Sequence, residues 1–121
     1  MYKIEIVDPA KNDLREIGLY IAVDLQSPEA AMKRLDLIDE KIQSLKKMPA
    51  KHTLVQDNFL AAQGYRMVVA KSHLIFFLIS NDETPKRVYI MRVLYARRNW
   101  TRILKMESLP TALDFPKKYY K

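Results

Sequence analysis

At 121 residues, 49% of them hydrophobic and 29% charged, the chain suits one buried core, leaves little room for a second domain and lacks the composition of a disordered protein. It has no cysteine, which excludes a disulfide framework, thiolate metal sites and a cysteine nucleophile, and which suits a reducing, cytoplasmic setting. The formal net charge of +7 is uneven: residues 64–105 carry nine Lys/Arg against two Asp/Glu, whereas residues 1–63 carry nine against ten. A positive field concentrated in the later half attracts polyanions.

Met1-Tyr2-Lys3-Ile4-Glu5 has no apolar stretch of signal-peptide length, and no run reaches membrane-span length, so no membrane partner is expected. Tyr2 to Val7 alternates in polarity and predicts a short strand. Asp8-Pro9 opens a helix, with Asp8 as the expected N-cap. Ala10, Leu14, Ile17, Ile21 and Leu25 recur at helical spacing and form its apolar stripe. Gly18 lies within that helix and leaves room for a second helix to approach closely. Ser27-Pro28-Glu29 starts the next helix, whose stripe is Ala31, Leu35, Ile38, Ile42 and Leu45; Pro49 stops it. The short link between the two predicts an antiparallel helical hairpin.

Residues 49–63 read as a loop with local structure. Three strands are predicted after it: Tyr65 to Ala70, His73 to Ile79 and Arg87 to Tyr95. Lys71-Ser72 is the turn between the first two, and the polar stretch Ser80 to Lys86 joins the second to the third. Such short links imply an antiparallel meander. Beyond Tyr95 come Ala96-Arg97-Arg98-Asn99-Trp100 and one or two helical turns through Lys105. The expected class is α+β, in the order β-α-α-β-β-β, with one layer of helices on one sheet; the other sheet face, if open, is where a site could lie. Residues 1–105 form the expected domain and 106–121 an irregular tail.

Two arginines interrupt apolar strands. Arg66 shares a face with Val68, and simple alternation puts Arg92 on a face with Val88, Ile90 and Leu94. An arginine so placed is either paired with a carboxylate that fixes the strand, or lies at a cleft open to an anion. Few acids lie near them in sequence, and Arg97 and Arg98 follow the last strand, which favours a phosphate-facing cluster. His73 reads as a structural or surface histidine. Trp100 reads as core beneath the C-terminal segment, with base stacking as the alternative. No clustered set of metal ligands is visible, so neither metal nor cofactor is expected.

Gly64-Tyr65-Arg66-Met67-Val68-Val69, followed by an apolar strand and then Val88-Tyr89-Ile90-Met91-Arg92-Val93-Leu94-Tyr95-Ala96-Arg97-Arg98-Asn99-Trp100, resembles the C-terminal half of RelE/ParE-family toxins. Ser27-Pro28-Glu29-Ala30-Ala31 is similar to the start of that family's second helix. The resemblance covers roughly residues 2–105. It implies the toxin of a type II toxin–antitoxin pair, held by a small acidic cognate antitoxin and meeting operator DNA only through it. RNase members cut mRNA on the ribosome; ParE-like members poison DNA gyrase; an inactive relative would serve only in antitoxin and operator complexes. For the RNase reading, a metal-independent endoribonuclease, the resemblance implies Arg66, Tyr95 and Arg97 as catalytic residues. Arginines stabilise the charge that builds on the phosphate, and a tyrosine can move a proton. Arg92, Arg98, Lys51 and His52 are the implied RNA- or phosphate-binding residues. Leu94 stands where YoeB-like members have a catalytic histidine, and no residue matches their catalytic glutamate.

Overall fold

The computed structural model describes residues 1–107. Four strands form one sheet: β1 (Lys3–Ile6), β2 (Arg66–Ala70), β3 (His73–Ser80) and β4 (Arg87–Tyr95), in the spatial order β1-β4-β3-β2. The last three make the expected antiparallel meander. β1 runs parallel to β4, with Lys3 opposite Arg87 and Ile6 opposite Ile90.

The helical hairpin has the expected punctuation, with one shift. Helix α1 (Asp8–Leu19) is capped by Val7 rather than Asp8, so Asp8 sits in the first turn, where its charge complements the helix dipole. A π-helical turn, Tyr20–Asp24, prolongs α1. Gln26 (φ 52°) reverses the chain, and Ser27 caps α2 (Pro28–Ser44) by accepting from Ala30 N–H at 3.3 Å. Gly18 has the use anticipated for it, since a Cβ there would stand 3.0 Å from Leu35 Cδ1 on α2. The predicted stripe of α1 is buried only in part: Leu25 is exposed, as are Leu19, Tyr20, Val23 and Met32.

Both sheet faces are covered among the described residues, so the second face is not open. Hairpin residues Ala10, Ile38, Ile42 and Leu45 pack with Val68, Ile75, Phe77, Val88, Ile90 and Val93. On the opposite face, α3 (Asn58–Ala62) and α4 (Trp100–Glu107) close over Leu74, Phe76 and Leu94 through Leu60, Trp100 and Leu104. Trp100 is partly buried and packs against this cluster, its ring centroid 5.0 Å from that of Phe76. Asp57 caps α3 by accepting from Leu60 N–H and pairs with Lys105 of α4 at 2.8 Å, which ties the two short helices together. Met106 and Glu107 complete α4; the rest of the expected irregular tail lies outside the described residues. No helix among the described residues is long and apolar enough to cross a membrane.

A bulge resets the faces of β4. Arg92 is opposite Phe76 while Ile90 is opposite Phe77, so Met91 is the extra residue. Val88 and Ile90 therefore face the hairpin, whereas Arg92 and Leu94 follow Phe76 and Leu74 towards α3 and α4. The single alternating face expected from Val88 to Leu94 does not exist, because one inserted residue inverts a period of two.

Candidate functional site

The arginines chosen from sequence divide into two kinds. Arg66, at the start of β2, points Nη1 at backbone carbonyls of the preceding loop, to His52 O at 2.6 Å and Ala50 O at 3.4 Å. It holds down the 3₁₀ turn Pro49–Lys51. The His52 ring stands edge-on to Phe77, with centroids 6.0 Å apart, instead of pointing outward beside exposed Lys51. Burial, then the charges of Lys51 and Lys41, lower the His52 pKa and keep its ring neutral at pH 7.

Arg92 is engaged by acids that sequence proximity did not reveal. Its Nε and Nη2 donate to the two carboxylate oxygens of Asp13 at 2.6 and 2.8 Å, and Nη1 pairs with Glu107. Asp13 Oδ2 also accepts from Val93 N–H at 2.9 Å, on the edge of β4 that short β1 does not reach. One carboxylate on α1 thus completes the sheet edge and neutralises the guanidinium. The hydrogen bonds that Arg92 donates to Asp13 are the main reason the Arg92 pKa is raised still further. Arg92 is a brace between α1, β4 and α4, the alternative in which the arginine fixes a strand.

Tyr95, Arg97 and Arg98 are exposed at the far end of β4. They do not converge with Arg66. Arg66 is opposite Phe77 and Tyr95 is opposite His73, four residues along β3 and on either side of it. Strand rise and spacing put their Cα atoms about 16 Å apart.

What does gather around Tyr95 is a group that sequence reasoning left aside. His73 is buried, with its ring centroid 5.9 Å from that of Tyr95. Arg34 of α2 donates from Nη1 to Ser72 Oγ at 2.9 Å and to His73 Nδ1 at 3.2 Å. A guanidinium has no acceptor, so Nδ1 must be unprotonated and the neutral ring carries its proton on Nε2. Burial, then the Arg34 charge, lower the His73 pKa in keeping with this. Ala96 N–H donates to Ser72 O at 2.7 Å, which brings the β2–β3 turn, with exposed Lys71, against the Arg97-Arg98 segment. Among the described residues no carboxylate pairs with Arg34, Lys71, Arg97 or Arg98, whereas Arg87 has Glu5 and Glu83, and Lys105 has Asp57. Four cations without a carboxylate partner among the described residues therefore share this end of the sheet. Arg34 lies 38 and 39 residues from its two partners, and no local pattern in the sequence marks it.

The family model of the ParE toxin of type II toxin–antitoxin systems, parDE, matches residues 4–100. Among solved structures, the chain is similar to one in the chromosomal ParDE toxin–antitoxin system of P. aeruginosa, with a TM-score of 0.65 and 20% identity over 80% of this chain and 98% of that one. It is also similar to one in the RelBE2 toxin–antitoxin complex of Mycobacterium tuberculosis, with a TM-score of 0.55 and 17% identity over 78% and 96% of the respective chains. At these identities the structural likeness speaks for the fold. No curated protein sequence matches the chain.

Proposed function

The chain belongs to the ParE toxin family of type II toxin–antitoxin systems, and from that premise we propose that it acts by binding and poisoning DNA gyrase rather than by cutting mRNA. The observation that carries this choice is the dispersal of the expected nuclease residues. Arg66 is about 16 Å from Tyr95 along the sheet and spends its guanidinium on loop carbonyls. Arg92 is neutralised by Asp13 and Glu107. Cleavage of RNA needs proton-transfer groups and cations within hydrogen-bond reach of one phosphate. With its guanidinium on loop carbonyls, Arg66 is poorly placed to share one phosphate with Tyr95 and Arg97, which supports the binding reading.

A binding mode asks less of the site and more of the surface. The hairpin tip exposes Leu19, Tyr20, Val23, Leu25 and Met32, an apolar patch suited to a protein partner. A small acidic antitoxin would neutralise the basic sheet end around Arg97 and Arg98 and order itself as it binds. Operator DNA would be met through that antitoxin.

The second reading, a ribosome-dependent endoribonuclease, is favoured by one observation. Tyr95 stands beside neutral His73 and near Arg97, so proton-transfer groups and cations do share one end of the sheet. Two assays separate the readings. Purified protein should inhibit supercoiling by gyrase and trap cleaved DNA, while primer extension on transcripts after brief induction shows no new 5′ ends. New cuts within codons, with gyrase unaffected, would reverse the choice.

A further inference from the structure

We propose that the basic end of the sheet, built from Arg34, Lys71, Arg97 and Arg98 around His73, grips the phosphodiester backbone of duplex DNA. The choice of duplex DNA rests on the gyrase reading, since gyrase presents that substrate. The cations themselves come from three separate elements. Arg34 projects from α2, Lys71 from the β2–β3 turn, and Arg97 and Arg98 from the segment after β4. The Ala96–Ser72 backbone bond and the Arg34 bonds to Ser72 and His73 lock these elements together. Backbone spacing confines Lys71 to Arg98 within about 13 Å, which matches roughly four phosphates of one strand at 3.4 Å axial rise.

Two features make this a docking site rather than a solvated charged edge. First, Arg34 is held in place by neutral acceptors. Its Nη1 is fixed by Ser72 and His73, while Nε and Nη2 have no partner among the described residues. A guanidinium so positioned presents its remaining donors in fixed geometry, and ordering it costs little when an anion arrives. Neutral His73 accepts from Arg34, so the histidine orients the cation instead of competing with it for the anion. Secondly, among the described residues the one exposed aromatic ring beside these cations is Tyr95, whose ring already makes a T-shaped contact with His73. Single strands are held by stacking bases on open aromatic faces. This surface offers cations without such a platform, which suits a backbone whose bases stay paired.

The test uses the full chain and a fluorescently labelled mixed-sequence DNA duplex, with anisotropy read over a range of salt concentrations. Wild-type protein should bind with a log–log salt slope between about −2.7 and −3.6, the value for three to four phosphate contacts. Arg97→Gln/Arg98→Gln, on the exposed segment, should fold normally, weaken binding at least tenfold and flatten the slope by about 1.8. Adding Arg34→Gln should flatten it by about 0.9 more. A brace that merely supports the fold would change the melting temperature and leave the slope alone. Lys46→Gln/Lys47→Gln, at the opposite end of α2, should bind as wild type. An unchanged slope in the Arg97/Arg98 variant overturns the proposal, and so does tighter binding of single-stranded RNA than of the duplex. Gyrase inhibition is measured separately on the same samples. Inhibition by a wild-type protein that binds no duplex sinks this inference and leaves the gyrase reading standing. Duplex binding through these arginines without gyrase inhibition does the reverse.

Discussion

Asp13→Ala is expected to be among the most damaging single substitutions on α1. Asp13 is 5% exposed and serves three donors, Arg92 Nε, Arg92 Nη2 and Val93 N–H. Its removal leaves Arg92, whose side chain is 14% exposed, with only Glu107, and leaves the Val93 amide orphaned. Breaking one partner of a largely buried pair costs about 3–5 kcal/mol, a figure that already contains part of the cost of the stranded amide. Against a total of about 5–15 kcal/mol for a domain of this size, that is at least about a fifth of the stability. At an unfolding entropy of about 0.25 kcal/mol per kelvin for such a chain, Tm should fall by about 12–20 °C. The assay is urea and thermal denaturation followed by far-UV circular dichroism. Glu107→Ala is the internal comparison: it touches the same guanidinium, but its side chain is 42% exposed, so its loss should cost below about 1 kcal/mol. A loss under about 1 kcal/mol for Asp13→Ala, or equal losses for the two variants, would refute the brace.

Two further outcomes follow from the interior. His73 and His52 both have pKa values lowered by burial, so the unfolded chain binds protons that the native chain refuses. Their contribution is fully present above the unfolded value near 6.5 and is lost as pH falls from there towards the lowered native values. The urea midpoint should drop between pH 7.5 and 5.5, and His73→Gln should shrink that drop; an undiminished drop would exclude His73 as a source. Phe76→Ala empties the space beneath Trp100 and should cost about 3–5 kcal/mol, with Trp100 emission shifted to the red, whereas unchanged emission would mean that the ring pair does not shield the indole.

Elements and their order were legible because each is specified locally. Ser27-Pro28 caps and opens α2, Gly18 permits its approach to α1, and the turn chemistry at Lys71-Ser72 sets the β2–β3 hairpin. The later strands show as short apolar or alternating runs bounded by turn residues. The cap at Val7, one residue earlier than expected, lies within the ordinary fraying of helix ends.

The site was legible only as a list of residue types. The concentration of positive charge after residue 63 could be counted along the chain, and it drew attention to the end of β4. Which of those charges remain available was decided by contacts across 14 to 82 positions. His52 and Ala50 took Arg66, Asp13 took Arg92, Glu5 took Arg87, and Arg34 arrived beside His73. The Met91 bulge then turned Arg92 away from the face that alternation assigned it. Local conformation depends on neighbours in sequence, so the chain alone determined its helices, turns and strands. Charge compensation depends on distance through space, so only the folded sheet, with β1 ending short of Val93 and the hairpin laid across it, decided which cations are braces and which face outward.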